Sequence, residues 1–527
     1  MPILAPPLTD SPGHAATRPW LEAALIFTLV IHGVGMLSMV LFLLPGIPGG
    51  TETEVAARAA HLAEHPWRWR IGWLPWQLTA VSDLLLGVAL VGTAWIRKAP
   101  AIMGAMATLA AIVPDQLAQY WWTWEGVSLA RHAVEVGDFG AFQEFESRIF
   151  VLTAGWGAAG YTLGAVCWTW CFAGAGIWSR RLLLLSVAAW GMFAASTAIV
   201  FVPDSVRQLP AVGAAVSVGN GVAFVLLMLW LAGVSERVLR RNRPDRGHGS
   251  FAPWRHPSRG LVARTSNLVA NSRLARALGR LIPPLAMSSD IVDVVYVNYL
   301  VDAGSLERFV DPGLELQRLG PGGRLAMFSV LTFRHGHFGP SCFGPLRRLW
   351  PSPVQSNWRI YVRNPRTGRA GVQFVTTAIT STPHALATRL LSDGVAMHVP
   401  ARAQVRRDAD GSIHAQVDPG AGSSPDLSAS LLPTTELTLQ HEWRQCFASW
   451  REMLEYCVPQ DRAMCARVGS GWVVRQEIAL HIPLESCRPL SGSVVSHAAE
   501  AFVGTATPLC FGVDRVGFRF VAQKLDR

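Results

Sequence analysis

RVLRRNRPDRGHGSFAPWRHPSRGLVARTSNLVANSRLARALGR, residues 237–280, divides the chain into two unlike halves. It carries eleven arginines and one acid, Asp245, and its net charge of +10 equals the formal charge of all 527 residues, so the remainder is neutral. The segment directly follows an apolar run. In that position a positive cluster marks the cytoplasmic flank of a membrane helix, through the positive-inside bias and attraction to anionic lipid, rather than an arm that binds nucleic acid. No nucleic-acid partner is expected.

Upstream, the composition explains itself locally. The chain is 50% apolar and 16% charged, too greasy for a soluble enzyme of this length. The excess lies in six runs: Trp20 to Leu44, Ile71 to Ile96, Pro100 to Trp122, Ile149 to Ala173, Leu182 to Val202 and Ala211 to Val234. Each reaches the roughly 20 residues that a helix needs to cross about 30 Å of hydrocarbon. Residues 1–235 are therefore expected to form an all-α, multi-pass, six-helix transmembrane domain. The opening MPILAPPLTDSPGHAATRP has neither a charged n-region nor a cleavage site, and no removable signal peptide is expected.

Orientation follows from the connections. Arg18, Arg97, Lys98, Arg180, Arg181 and the basic segment fall on one side. On the other, Glu52, Glu54, Glu64, Glu125, Glu135, Asp138, Glu144 and Glu146 outweigh the arginines. This predicts an inner (plasma) membrane protein with both termini cytoplasmic, and a bilayer with an anionic inner leaflet as its partner. Trp67, Trp69, Trp73, Trp76, Trp121, Trp122 and Trp124 are expected at the outer headgroup interface, which their amphipathic rings favour. His32, Asp83 and Asn220 each fall near mid-span. A charge there costs about 2.5–3.5 kcal/mol on insertion scales, so Asp83 should face the bundle, with His32 as its nearest partner in depth. The trio reads either as a proton relay or polar ligand site, or as interhelical hydrogen bonds that hold the bundle. Asp115 and Gln116 lie nearer the outer end of their span and carry no assignment.

Residues 236–284 read as a basic cytoplasmic linker. Leu274, Leu278 and Leu281 share one helix face with Arg273, Arg276 and Arg280 between them, which suggests an amphipathic helix on the inner leaflet; a tether with solvated charges is the alternative. From about residue 285 the period becomes strand-like. DIVDVVYVNYLV (290–301), RLAMFSVLTF (324–333), QSNWRIYVRN (355–364) and PRTGRAGVQFVTTAIT (365–380) are β-branched and aromatic runs, the last two joined by a turn at Pro365 to Arg369. Short helices are expected at Ser305 to Val310, Pro383 to Ser392 and Glu442 to Tyr456. Strands with interspersed helices and no repeated crossover give a soluble, mainly antiparallel α+β domain over residues 285–527.

The order YLVDAGSLERFVDPGLEL, RLAMFSVLTF, NWRIYVRNPRTGRAGVQFVTTAI and HALATRLL resembles the YqjF-like family of the acetoacetate decarboxylase-like superfamily, over about residues 290–485. Asn357, Arg359, Tyr361 and Val362 carry the most specific element, and Pro312 to Glu315 the next. Where the family has a His before a Pro-Trp-Pro-Leu-like element, this chain has ALHIPLESC, which puts His481 in doubt as an equivalent. The resemblance implies a cone-shaped β-barrel with a central cavity. The family chemistry does not follow. A Schiff-base decarboxylase needs an amine whose pKa falls from about 10.4, and the chain has two lysines, Lys98 in a membrane loop and Lys524 near the end. His398 forms no stable imine and arginine stays protonated.

What remains is binding. Asn357, Arg359, Tyr361 and Arg363 fall on one strand face and Trp358, Ile360 and Val362 on the other. If the polar face lines the cavity, Asn357, Arg359 and Tyr361 hold a carboxylate or carbonyl, with Arg389 at the rim; otherwise it is the water-facing side of an ordinary sheet. His335 and His337 would share a strand face but have no third ligand, so no metal site is assigned. No GxSxG, phosphate loop or HExxH occurs, and no cofactor is implied. The eight cysteines show no CxxC pair. The expected function is a membrane protein with a cytosolic domain that binds a small organic ligand, a carboxylate or keto acid, with no reaction assigned. A proton-coupled transporter or membrane sensor regulated by that domain, and an enzyme of the same fold working without an imine, are the alternatives.

Overall fold

A computed structural model describes residues 14–200, 202, 210–242, 253–283, 285–395, 397–458, 461–466, 472–480 and 482–526. It separates into two compact units, Met1–Asn242 and Arg243–Arg527.

The first unit is helical: α1 (His14–Ser38), α2 (Val55–Glu64), α3 (Pro66–Gly92), α4 (Lys98–Val136), α5 (Gly140–Phe150), α6 (Ala158–Gly174), α7 (Arg180–Ile199) and α8 (Pro210–Asn242). Six stretches are long and apolar enough to cross a membrane: Trp20–Gly46, Pro66–Gly92, Lys98–Val136, Gly140–Gly174, Arg180–Ala198 and Val218–Arg241. Each coincides with a run read from the sequence. The fourth is continuous because a π-helical turn, Val151–Gly157, joins α5 to α6.

The connection read as a loop between the third and fourth runs is helical instead. At 39 residues, α4 rises about 58 Å at 1.5 Å per residue, almost twice the hydrocarbon thickness. It ends only at Gly137, whose φ of 78° supplies the left-handed cap. The end of α4 packs with α2, α5 and the start of α3 around Leu62, Trp69, Trp73, Trp122, Phe142 and Phe145. This corrects the aromatic belt. Trp69, Trp73 and Trp122 are buried, with ring centroids 5.5–5.7 Å apart, whereas Trp67 and Trp124 are exposed and flank the Arg70 guanidinium. The cap is clamped by an ion pair: Arg58 on α2 donates from Nε and Nη2 to the two carboxylate oxygens of Glu146 on α5, at 2.8 and 2.7 Å.

The second unit contains β1 (Met287–Asp302), β2 (Glu315–Leu316), β3 (Arg318–Leu319), β4 (Leu325–Pro340), β5 (Val354–Arg363), β6 (Ala370–Ile379), β7 (Met397–His398), β8 (Arg402–Arg407), β9 (Ile413–Asp418), β10 (Leu427–Pro433), β11 (Arg462–Ala466), β12 (Val473–Leu480), β13 (Arg488–Val495) and β14 (Leu509–Leu525). The pairing path runs β1-β4-β5-β6-β11-β12-β14, and β14 pairs β1 from Met287↔Phe520 to Asn298↔Leu509, so the circuit returns to its start. Only β6–β11 is parallel on that path. From β14 the sheet also extends through β13, β10, β9 and β8; the strand runs read from the sequence correspond to β1, β4, β5 and β6, and β8 to β14 were not anticipated.

Both faces of β5 are buried. Trp358, Ile360 and Val362 pack with Phe328, Val330, Ile413 and Val417 in one core. Tyr361 joins Tyr296, Met327, Met453, Cys457 and Phe511 in the other. The expected helix at Glu442 to Tyr456 is broken into His441–Arg444 and Trp450–Cys457. Residues 261–279 also depart from expectation. They form two helices, Leu261–Ala270 and Arg273–Gly279, and Arg273 and Arg276 are buried beside Leu274 instead of forming a solvated face. The cause is close packing on the helix Thr382–Leu391: a Cβ at Gly279 would lie 2.7 Å from the Leu390 carbonyl. Arg280 pairs with Asp393, while Leu281 is exposed.

Arg58 and Glu146 are both almost fully buried, so removing one charge strands the other at a cost of about 3–5 kcal/mol. Glu146→Gln is expected to lower the unfolding temperature of the detergent-purified protein, and the double change Arg58→Met, Glu146→Leu to recover most of the loss. Equal melting of Glu146→Gln and the parent would show that the clamp contributes nothing.

Candidate functional site

Strand alternation places Asn357, Arg359 and Tyr361 on one face of β5, as read from the sequence, and that face turns into the second core. Arg359 is 4% exposed. Its Nη2 donates to the Tyr361 hydroxyl at 3.2 Å and to the Cys457 carbonyl at 3.1 Å. Tyr361 donates to the same carbonyl at 3.1 Å and lies 3.2 Å from Ser329 Oγ, which donates to Asn298 Oδ1 at 2.6 Å. Cys457 closes the helix Trp450–Cys457, so the negative end of that helix faces the guanidinium. The Tyr296 and Tyr361 rings both lie 5.5 Å from it.

No carboxylate among the described residues pairs with Arg359. Its Nε and the Tyr296 hydroxyl are buried without a hydrogen-bond partner. Burial pushes the Tyr296 phenol up to about 12 although Arg359 pulls it down, and pushes the Cys457 thiol up to about 12. Near neutral pH both stay protonated, so neither supplies the missing negative charge.

A second polar chain reaches the face from β4. His335 Nε2 donates to Gln355 Oε1 at 2.8 Å, since an amide oxygen only accepts, and Gln355 Nε2 donates to Asn357 Oδ1 at 2.7 Å. His335 Nδ1 then accepts from Ser289 Oγ at 2.9 Å. Burial pushes this imidazole down to about 4, so it is neutral at physiological pH. His337 is exposed with φ of 54° and does not share its face. Arg363 is exposed at the strand end. Arg389 is buried elsewhere, donating from Nε to the Ala270 carbonyl at 2.8 Å, and is not part of this cluster. His481 lies outside the described residues.

In the helical unit, His32, Asp83 and Asn220 line one cavity of about 290 Å³, together with Asp115, Gln119 and Tyr161. His32 Nε2 lies 3.8 Å from Asp83 Oδ2, the pairing read from depth alone. Asp115 Oδ2 accepts from Gln116 at 3.1 Å, Gln119 at 3.0 Å and Tyr161 at 3.1 Å. Sequence position gave Asp115 no role. It reaches the cavity because α6 approaches α4 through glycines: a Cβ at Gly157 would lie 3.1 Å from Asp115 Cβ, and one at Gly160 2.7 Å from Ala111 Cβ. The small residues at 157, 160 and 164 were the available signal.

Each lysine has partners of its own, none of them a partner of Arg359. Lys524 Nζ is 3.4 Å from Glu477 at an exposed strand edge, and Lys98 donates to the Val91 and Thr93 carbonyls at the end of α3. Acetoacetate with borohydride is accordingly expected to leave the intact mass of the protein unchanged; a stoichiometric covalent adduct would overturn this.

No family model and no curated protein matches the chain. Among solved structures it is similar to acetoacetate decarboxylase from Legionella pneumophila (10% identity, 46% of this chain, 88% of that one, TM-score 0.31). It is also similar to an acetoacetate decarboxylase-like enzyme from Sphingomonas wittichii (10%, 46% and 94%, TM-score 0.32) and to the enduracididine biosynthesis enzyme MppR complexed with pyruvate (16%, 46% and 91%, TM-score 0.30). The likeness lies in the C-terminal half and is one of fold.

Proposed function

We propose that this chain is an integral membrane protein whose C-terminal unit is a cytosolic, cone-shaped β-barrel that binds a small organic carboxylate or keto acid at Arg359, without forming an imine. The observation that carries this is the buried guanidinium with no acidic partner among the described residues. Taking an ion out of water costs several kcal/mol even after relaxation, and the dipoles of Cys457 and Tyr361 offset only part of it. A carboxylate at Arg359 supplies the opposite charge in a charge-assisted hydrogen bond, with Nε and the Tyr296 hydroxyl as donors still unused in the protein. Asn357, which ends the polar chain from His335, is the adjoining amide.

The cytosolic placement rests on the positive-inside bias. A second reading, in which the helical unit transports or senses and the C-terminal unit regulates it, is favoured by the cavity that His32, Asp83 and Asn220 share.

Two measurements test the proposal. In thermal unfolding of the full-length protein, pyruvate or acetoacetate at 100 times its Kd stabilises by about 2.7 kcal/mol. Arg359→Gln is expected to abolish that shift, and an undiminished shift in the variant would remove Arg359 from the site. For orientation, a C-terminal tag is expected to be protected from protease in intact cells; cleavage there would place this unit outside.

A further inference from the structure

The cavity in the helical unit has a chemistry of its own, independent of Arg359. Asp83 on α3 is 8% exposed, and no hydrogen bond reaches its carboxylate from a described residue. His32 Nε2 lies 3.8 Å from its Oδ2. His32 Nδ1 lies 2.9 Å from the Thr28 carbonyl. A carbonyl only accepts, so Nδ1 carries the proton, and in the neutral ring Nε2 presents a lone pair. Two acceptors therefore face each other across a gap that a hydrogen-bond donor would fill.

The rest of the wall agrees. Asp115 brings a second carboxylate to the same cavity, and no lysine or arginine among the described residues lines it. Two carboxyl groups that share a site of low dielectric are held ionised together only by a cation between them. The apolar wall is aromatic, built from Trp73, Trp76, Trp168, Trp190, Phe193 and Phe224, the surface that stabilises a cation through ring quadrupoles. The indole N–H groups of Trp73, Trp76 and Trp168 are buried with no hydrogen-bond partner. The π-helical turn Val151–Gly157 contributes Thr153 and Ala154 to the lining, and such turns recur at functional positions in helices.

We propose that this cavity binds a small organic cation, an amine or quaternary ammonium, with its positive head between Asp83 and the aromatic wall. Asp83 provides the charge, and the aromatic rings the selectivity for a cation with an apolar body. The volume of about 290 Å³, at the lower end for ligand sites, limits the ligand to a compact one.

The test uses the full-length protein in detergent, intrinsic tryptophan fluorescence as readout, and three probes: choline, benzyltrimethylammonium, and 3,3-dimethylbutan-1-ol, the uncharged carbon isostere of choline. Saturable binding of at least one cation is expected, with the isostere at least tenfold weaker than choline. Asp83→Asn should weaken the cation at least tenfold while Asp83→Glu retains it. If Asp83→Asn does not fold, Phe224→Leu serves in its place: it keeps an apolar wall but removes a ring, and should weaken the cation several-fold while leaving the isostere unchanged. No saturable response to either cation, equal binding of choline and its isostere, or undiminished binding by a folded Asp83→Asn variant would each overturn the proposal.

Discussion

A charge sealed away from water with no opposite charge beside it is the constraint that organises both halves of this protein. In the C-terminal unit it is the Arg359 guanidinium, enclosed by Tyr296, Tyr361 and the Cys457 carbonyl. In the helical unit it is Asp83, facing His32 across a gap too wide for a hydrogen bond. The first is partly offset by the Cys457 and Tyr361 dipoles, and neither is neutralised by a described side chain of opposite sign. By contrast, two buried carboxylates of the scaffold have an opposite charge beside them: Glu146 has Arg58 in the helical unit, and Asp526 has Arg369, with Asn364 and Thr367 also donating, at the end of the last strand.

The scaffold around Arg359 explains how the charge is tolerated. Closing the strand circuit through β1 and β14 gives β5 two buried faces, so the polar alternation that would meet water in an open sheet is directed into a core. The helix Trp450–Cys457 then ends against that face and turns its last carbonyl toward both Arg359 and Tyr361. In the helical unit the corresponding device is the approach of α4 and α6 through Gly157 and Gly160, which carries Asp115 into the cavity that α1 and α3 supply with His32 and Asp83.

The differences from the sequence reading have local causes. Residues 122–149 read as an interfacial loop because acidic residues interrupt the apolar run, yet hydrophobic positions such as Val127, Ala130 and Ala133 keep a helical spacing and bury against Phe142 and Phe145. The tryptophans at the outer ends of the second and third spans read as a headgroup belt because composition does not reveal that three of them can pack on one another. The arginines at 273 and 276 read as the basic face of a helix lying on the inner leaflet because their spacing is right for one; the small residues Ala277 and Gly279, which let the helix sit against Thr382–Leu391, outweigh that pattern.

Sequence by itself determined the six apolar spans, the basic division between two unlike units, the depth match of His32 with Asp83, and the shared face of Asn357, Arg359 and Tyr361. These are one-dimensional quantities: run length, net charge, and position modulo the period of a helix or strand. Only the tertiary structure decided that the Arg359 face is enclosed without a carboxylate, that Arg389 belongs elsewhere, and that Asp115, Gln119, Tyr161 and an aromatic wall join the His32 cavity. Those facts depend on which elements meet, and a meeting between residues 32, 83, 115 and 161 is fixed by packing, whose partners no local pattern names.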